Sequence, residues 1–135
     1  MGQSAEVTNE LTGRIIEAAI AVHRELGPGL LESIYEEGFC YELDRSGLAY
    51  ERQVDFPILY KGNALKSHLR LDVIVEKVVI VELKSIEGLL PIHQAQLLTY
   101  LKLANLHVGL LINFNETVLK NGIRRIVNKF QELET

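Results

Sequence analysis

The chain has 135 residues, of which 47% are hydrophobic and 24% charged, and its net charge is −4. This length suits one domain with a continuous core, and the composition excludes both a disordered chain and an apolar run long enough to cross a bilayer. The single cysteine, Cys40, excludes an intrachain disulfide and a cluster of thiolate metal ligands.

The amino-terminal residues carry no targeting pattern and lead into the first predicted helix. Residues 1–9 lack the charged start and apolar core of a secretory signal, so we expect a cytoplasmic protein that does not bind membranes. Residues 1–8 are expected to be flexible. The apolar residues that follow recur at helical spacing and predict an amphipathic helix over about residues 8–26; they are Leu11, Ile15, Ala18, Val22 and Leu26.

A second helix is predicted over about residues 31–46, after the helix-ending segment Gly27-Pro28-Gly29. One face of this helix is apolar and carries Ile34, Tyr35, Phe39 and Leu43. Gly47 is placed to act as its C-terminal cap. Glu32 lies in the first turn, where a carboxylate also complements the helix dipole.

After Gly47 the pattern changes to short runs of Val, Ile, Leu and Tyr, which predict a β-meander. Pro57 and the segment 61–63 interrupt these runs and separate the predicted strands. The strands are expected at residues 50–55, 58–60, 64–75 and 78–84.

The carboxyl-terminal part predicts a third helix and a further strand. The helix begins near Pro91, whose fixed φ suits the first helical position, and ends near Asn105. Residues 107–113 form a buried strand, so we expect a βαβ crossover with a parallel strand pair at one edge of a mixed sheet. After a turn at Asn121-Gly122, residues 123–127 return as a strand or a helix. The element order predicts a single α/β domain over residues 1–135, with a mixed central sheet flanked by helices.

Asp72, Glu82 and Lys84 are charged residues within the two otherwise apolar strands that form the last predicted hairpin. Glu82 and Lys84 lie on one face of their strand because side chains alternate. A two-residue turn would split Asp72 and Glu82 between faces, whereas a three-residue connection places Asp72 opposite Glu82 and Arg70 opposite Lys84. The connection contains no Gly, Asn or Asp, which favours the second register because the tight turn needs positive φ.

That register predicts a site for a divalent cation. The β-carbons of Asp72 and Glu82 would be about 5 Å apart, where like charges repel. Mg²⁺ or Mn²⁺ would offset this repulsion, since both ions take oxygen ligands, and Lys84 would face the same water or phosphate. A solvated hairpin with a surface Glu–Lys pair is the alternative for this stretch alone.

The spacing of these residues resembles the core of the PD-(D/E)XK nuclease superfamily, with an Asp and, about ten residues on, a Glu-x-Lys at the end of an apolar strand. Residues 29–35 read GxxExxY, and nearly the whole chain is similar to the family named after that motif. Further similar segments are residues 27–29, 51–53, 60–62 and 94–115. The resemblance implies a restriction-endonuclease-like core and metal-dependent hydrolysis of phosphodiester bonds, with DNA as the likelier substrate and 5′-phosphate ends as product.

The resemblance extends to RecB-type nucleases of the same superfamily and implies further roles. Gln96 and Tyr100 share a helix face and match a Gln-x-x-x-Tyr motif, which implies contacts with the substrate strand or the active-site lysine. Glu32 matches the family motif, and the RecB-like arrangement implies that it is a third metal carboxylate. Tyr35 is expected in the core or as a hydrogen-bonding partner behind the site.

Two more residues are candidates for substrate binding, and each candidate has a structural alternative. His93, one turn before Gln96, is a candidate phosphate contact or proton shuttle, and Arg70 is a candidate phosphate clamp. Tyr100 would alternatively be half-buried with its hydroxyl bonded to backbone, and His93 would be an ordinary partly exposed helical residue.

The acidic balance limits the expected affinity for nucleic acid. Positive residues are scattered along the sequence without a Lys/Arg stripe, whereas proteins that hold nucleic acid usually present a basic patch. We therefore expect weak binding by the isolated domain, and a homodimer or a protein partner would strengthen it. The main alternative is a catalytically silent binding module that acts with a partner protein. A small-molecule phosphohydrolase is a third possibility, although no Gly-rich phosphate loop is visible.

Overall fold

The computed structural model describes residues 5–129 as a three-layer α/β domain. The helices are α1 (Ala5–Leu26), α2 (Glu32–Arg45) and α3 (Pro91–Ala104), and the strands are β1 (Tyr50–Tyr60), β2 (Asn63–Val75), β3 (Val79–Lys84), β4 (Val108–Asn113) and β5 (Ile123–Val127). Of residues 1–8, for which flexibility was predicted, 1–4 lie outside the described residues and 5–8 form the start of α1. Within the described residues, no helix combines the length and the apolar character needed to span a membrane.

The five strands form one mixed sheet in the order β1-β2-β3-β4-β5. β3 and β4 are parallel and are joined by α3, as the predicted βαβ crossover requires, and the other neighbours are antiparallel. The parallel pair does not lie at the edge of the sheet, which corrects the prediction. Residues 123–127, left open between strand and helix, form β5 and cover β4 on that side.

Helices cover both faces of the sheet. The core on one side is formed with α1 and α2 and includes Ile15, Tyr35, Phe39, Val81 and Leu83. The core on the other side is formed with α3 and includes Leu71, Ile80, Leu97, Leu101 and Leu111. Because side chains alternate along β3, Glu82 and Lys84 share the face of Ile80 and are directed to the α3 side.

β1 is one strand where the sequence predicted two. It runs through Pro57, which pairs with His68, and the pairing register shifts between Pro57 and Leu59. β1 is the edge strand of the sheet, so the missing N–H of proline can face away from β2 without the loss of a ladder bond. The prediction of a break at Pro57 was therefore wrong.

Gly47 ends α2 as the sequence predicted. Its φ is +74°, its N–H donates to the carbonyl of Asp44 at 3.0 Å, and the N–H of Leu48 donates to the carbonyl of Leu43 at 3.0 Å. This pair of bonds is the Schellman motif, in which a left-handed glycine satisfies the last carbonyls of a helix. The chain is thereby turned from α2 into β1.

Candidate functional site

Asp72 and Glu82 come together because β2 and β3 pair in the register that the three-residue connection predicts. Val73 pairs with Val81, so the next residues along, Asp72 and Glu82, lie opposite each other. The backbone ladder ends at Val73 and Val81. The predicted pairing of Arg70 with Lys84 is therefore not part of the sheet.

The reason given for that register was wrong. Glu76 and Lys77 both have positive φ, at 54° and 58°, and the N–H of Val78 donates to the carbonyl of Val75 at 3.0 Å. The turn therefore adopts the left-handed conformation without Gly, Asn or Asp. Pairing along the two apolar strands, rather than the preference of the turn residues, fixes the hairpin.

The two carboxylates replace the backbone ladder where it ends. Oε2 of Glu82 accepts the N–H of Asp72 at 2.9 Å, and Oδ2 of Asp72 accepts the N–H of Leu83 at 2.8 Å. Each side chain is thereby fixed to the backbone of the facing strand. Within residues 5–129, no hydrogen bond engages Oδ1 of Asp72 or Oε1 of Glu82, so one oxygen of each group is available to a ligand.

Burial and mutual repulsion favour the protonated form of this pair. Glu82 is only 7% exposed. Its burial is the larger cause of a pKa raised to about 8, and the negative charge of Asp72 is the second cause. Burial also raises the pKa of Asp72, and the charges of Glu36 and Glu32 act in the same direction. Lys84 lowers both pKa values. A bound cation would substitute for the proton that the pair otherwise holds at neutral pH.

The donor atoms at this site fit Mg²⁺ or Mn²⁺. Besides the carboxylates, the carbonyl of Leu83 is directed towards β2, because the N–H and C=O of one strand residue lie on the same side. The next carbonyl, of Lys84, points the other way and accepts the N–H of Phe114 at 2.8 Å. No group of three or more His, Cys, Asp and Glu residues within 5–129 is arranged to hold an ion. Two carboxylates, with water and substrate oxygens completing the shell, are a usual Mg²⁺ site.

Glu32 lies close to the carboxylate pair but does not join it. It is the exposed first residue of α2, and its charge contributes to the raised pKa of both Asp72 and Glu82. Its predicted role as a third metal ligand stays a prediction.

Tyr35 holds the loop that leads to Glu32. Its ring is fully buried and stacks on Phe114, with centroids 4.5 Å apart and an interplanar angle of 8°. Its hydroxyl donates to the carbonyl of Gly27 at 2.5 Å and accepts the N–H of Leu30 at 3.1 Å. Tyr35 thus lies in the core, and its bonds go to the loop before α2 rather than to the carboxylates.

Tyr100 lies on the side of α3 that faces the carboxylate pair. Burial raises the pKa of its hydroxyl, and the negative charges of Glu82 and Asp72 raise it further. Gln96 is exposed one turn earlier on the same face of the helix. The pair is therefore placed at the open side of the site.

His93 has a structural role at the start of α3. Its Nδ1 accepts the N–H of Leu90 at 2.8 Å, so it caps the helix and only Nε2 is left for a substrate. His93 also lines an open cavity of about 470 Å³ beside the loop after β3. The other lining residues are Ile86, Glu87, Gly88, Leu89 and Leu90.

Arg70 is exposed at the base of the β1–β2 hairpin, two residues before Asp72 in β2. Opposite it in β1 lies Asp55, whose carboxylate bonds to Nδ1 of His68 at 2.8 Å. Among residues 5–129, Arg70 makes no ion pair. Its guanidinium is available to a phosphate.

Glu36 competes with Glu32 and Glu37 as a candidate carboxylate on α2, but the sequence did not reveal its contacts beside the site. It is 8% exposed; Oε2 accepts Nε of Arg52 at 3.0 Å, and Oε1 accepts the side-chain amide of Gln53 at 2.8 Å. A signal was present in the spacing, since Glu36 lies four residues after Glu32 and so shares its helix face.

These bonds hold a kink in β1 beside Asp72. Gln53 has a φ of +48° and lies between the paired residues Arg52–Val73 and Val54–Leu71, opposite Asp72. Val73 packs in the core of α1 and α2, whereas Leu71 packs in the core of α3. Val73 and Leu71 are two residues apart, so regular alternation of side chains would put both on the same face of the sheet. They lie on opposite faces, and the two strands therefore switch faces at Gln53 and Asp72.

Asn113 is a second residue that was not identified. It is fully buried, and its side chain accepts the N–H of Ile86 and donates to the carbonyl of Ile86, both at 3.0 Å. Ser85 donates to the carbonyl of Leu30 at 2.6 Å. The segment that follows Lys84 is thereby fixed to β4 and to the loop before α2. The signal was a lone polar residue at the end of an apolar strand.

Cys40 has no catalytic environment. It is buried in α2. Burial raises the pKa of its thiol to about 11, although the positive charge of Arg52 acts in the opposite direction. The thiol is therefore protonated at neutral pH, as expected for a residue that fills a helix face.

Comparison with protein families gives one match for this chain. The sequence pattern of the PD-(D/E)XK nuclease superfamily matches residues 9–126, a stretch that contains every candidate site residue. Searches of curated proteins and of solved structures give no match.

Proposed function

We propose that this chain, which belongs to the PD-(D/E)XK nuclease superfamily, is a divalent-metal-dependent nuclease that hydrolyses phosphodiester bonds of nucleic acid, with DNA as its substrate. One observation carries the proposal: the half-buried carboxylate of Asp72 and the buried carboxylate of Glu82 are fixed on facing strands, and each keeps one oxygen that no group within residues 5–129 bonds. The motif in residues 29–35 supports a finer assignment to the GxxExxY group with a RecB-like core.

Asp72 and Glu82 would hold Mg²⁺ or Mn²⁺ together with the carbonyl of Leu83, and Glu32 would act directly or through water. When bound, the ion would polarise the phosphate and lower the pKa of an attacking water. The protein contributes a pair of ligands whose rotamers are already set by backbone hydrogen bonds, which reduces the entropy lost on binding.

Lys84 would orient the attacking water, help to deprotonate it and stabilise the charge that develops on the phosphoryl group. Its side chain shares the face of Glu82 and is partly buried, so its charge acts in a poorly solvated site.

The residues proposed to bind the substrate lie on α3 and at the base of the β1–β2 hairpin. Tyr100 offers a ring on which a base can stack, and Gln96 offers both a donor and an acceptor to phosphate or sugar. Arg70 would clamp a phosphate, and His93 would contact the strand through Nε2.

Calorimetric titration with Mn²⁺ tests the metal site. The parent protein is expected to bind Mn²⁺, and Asp72→Ala and Glu82→Ala are expected to lose that binding. Glu37→Ala is the matched control, because Glu37 is an exposed carboxylate on α2 and should bind as the parent does.

Cleavage assays test the chemistry. Plasmid and single-stranded DNA are incubated with Mg²⁺, and Lys84→Ala is expected to lower the rate by about 10²-fold or more, since it removes a charge aimed at the transition state. Cleavage that survives this change would indicate a contaminating nuclease.

The second candidate is a catalytically silent binding module that acts with a partner protein or as a homodimer. The net charge of −4 favours it, because nucleic-acid affinity depends on positive charge. The carboxylate pair of Asp72 and Glu82 disfavours it, since a binding module gains nothing from two adjacent carboxylates that repel each other. A parent protein that binds no Mn²⁺ would support this candidate over the nuclease.

A further inference from the structure

The first hairpin extends beyond the rest of the sheet as a two-stranded ribbon, residues 56–70, which we call the arm. Within the described residues, β2 pairs with β3 only over residues 73–75, so the arm has β1 as its sole partner strand. Its base is anchored, because Phe56 and Leu69 pack against the core of α3. At about 3.3 Å per residue, the arm reaches roughly 30 Å from Asp72 to Asn63 at its tip.

The arm is basic although the protein is acidic. Residues 56–70 contain Lys61, Lys66 and Arg70 and no Asp or Glu, in a chain whose net charge is −4. All three side chains are exposed. Asp55 lies opposite Arg70 at the base, so the excess positive charge of the ribbon is that of Lys61 and Lys66. The hairpin thus brings three of the positive residues that are scattered along the sequence into one projection.

The tip of the arm also exposes apolar and aromatic groups. Tyr60 is 59% exposed and Leu59 is 68% exposed, and the ammonium group of Lys61 lies 5.5 Å from the centroid of the Tyr60 ring. Exposed aromatic rings interleaved with lysine are typical of surfaces that contact nucleic acid. A partner protein that bound the tip through apolar contacts alone would gain nothing from the positive charge of the arm.

We propose that the arm lies in the major groove of duplex DNA and holds the duplex beside Asp72; this inference rests on the proposed nuclease function. The major groove of B-DNA is about 12 Å wide and admits a two-stranded β-ribbon, whereas the major groove of A-form RNA is too deep and narrow for side chains to read. Lys61 and Lys66 contact phosphates on the groove walls. Arg70, at the base of the arm, continues this contact to the carboxylate pair.

The arm accounts for binding by an acidic protein, because the affinity depends on local positive charge rather than on the net value. Each lysine that neutralises a phosphate releases condensed counterions, so the affinity must fall as salt rises.

Fluorescence anisotropy with a labelled duplex of about 20 base pairs, roughly two helical turns, tests the arm. The measurement is made in EDTA, where no metal-dependent cleavage occurs, between about 50 and 200 mM salt. The test variant is Lys61→Gln/Lys66→Gln. The matched control is Lys120→Gln/Lys129→Gln, which makes the same charge change beside β5, at the opposite edge of the sheet.

The arm variant is expected to bind about tenfold more weakly at low salt, and the slope of log affinity against log salt should fall by about 2. The control should bind like the parent, and all three proteins should have the same melting temperature because the altered side chains are exposed. Equal binding by the arm and control variants would overturn the proposal. So would a parent that binds no duplex at about 50 mM salt, or equal affinity for duplex RNA of the same sequence.

The two proposals fail in different ways. Weaker binding by the arm variant, with no cleavage by the parent protein, supports the arm and removes the nuclease function. Cleavage that requires Asp72, with duplex binding that ignores Lys61 and Lys66, supports the nuclease function and removes the arm.

Discussion

The carboxylate of Glu82 accepts the backbone N–H of Asp72, and the carboxylate of Asp72 accepts the N–H of the residue that follows Glu82. The two acids therefore bond to each other's strands in place of the sheet ladder. This arrangement fixes both rotamers while it leaves their charges side by side. The site is thus ordered before any ligand arrives, at an electrostatic cost that a cation would remove.

The stability of the metal-free protein should depend on pH through this pair. The pKa of Glu82 is about 8 in the folded protein, against an ordinary value of 4.5, so the folded state binds more protons than the unfolded state between these values. The resulting stabilisation is complete below pH 4.5 and is lost as the pH rises through 8. The raised pKa of Asp72 has the same sign. Urea unfolding in EDTA should show this loss, with a slope of at most about 1.4 kcal/mol per pH unit for each of the two groups.

The variant Glu82→Gln isolates this contribution, because glutamine keeps the shape of the side chain and does not titrate. Its free energy of unfolding should fall less steeply than that of the parent between about pH 5 and 8. Identical slopes would show that Glu82 titrates near its ordinary pKa. Saturating Mn²⁺ should reverse the trend, since ligation requires both carboxylates to be deprotonated.

The kink in β1 should depend on Glu36. Replacement by alanine leaves the side chain of Gln53 without its bond and removes the ion pair with Arg52. We expect a loss of about 1–3 kcal/mol in the free energy of unfolding, chiefly from hydrogen bonds to a buried charged group. The Arg52 side chain is 44% exposed, so the ion pair itself contributes little.

Glu37→Ala is the control for this measurement, because it removes a carboxylate from the exposed face of the same helix and should change stability by no more than about 0.5 kcal/mol. Urea unfolding of both variants gives the comparison. Equal stability of the Glu36 and Glu37 variants would mean that the kink is held by strand pairing alone.

The segment after Lys84 should open when Asn113 is shortened. Asn113→Ala removes both side-chain bonds to Ile86 from a fully buried position, which should cost about 1–3 kcal/mol. Hydrogen exchange of the Ile86 amide reports the local effect and should become faster than in the parent. Asn121→Ala, at an exposed position, should leave this exchange rate unchanged. Unaltered protection of Ile86 in the Asn113 variant would contradict the assignment.

The sequence predicted those parts of the fold and the site that depend on local pattern. Asp72, Glu82 and Lys84 were visible because charges stand out in apolar strands, and Gly47 was visible because a helix end needs a left-handed residue. The crossover followed from one helix between two apolar strands. In each case the physical cause is visible in one contiguous stretch of the sequence.

Features that depend on distant partners could not be read in this way. Pro57 is compatible with a strand only because β1 lies at the edge of the sheet, which is a property of the whole topology. Glu36 has its partners in β1, 16 and 17 residues away, so its spacing from Glu32 indicates a shared helix face but not these contacts. The basic arm likewise arises only when the hairpin brings its lysines together.

The last prediction separates the loop-holding role of Tyr35 from metal binding by Glu32. Tyr35→Phe keeps the ring that stacks on Phe114 and removes the hydroxyl that bonds to Gly27 and Leu30. The loss of these two part-buried hydrogen bonds should lower the free energy of unfolding by about 1–3 kcal/mol.

If Glu32 is a metal ligand, a looser loop should weaken Mn²⁺ binding in Tyr35→Phe, and Glu32→Gln should weaken it further without a comparable loss of stability. Glu37→Gln makes the same charge change on α2 and should bind Mn²⁺ as the parent does. Calorimetric titration of the three variants, with urea unfolding in parallel, distinguishes the cases. Parent-like Mn²⁺ affinity in Glu32→Gln would remove Glu32 from the metal shell and leave Tyr35 with a purely structural role.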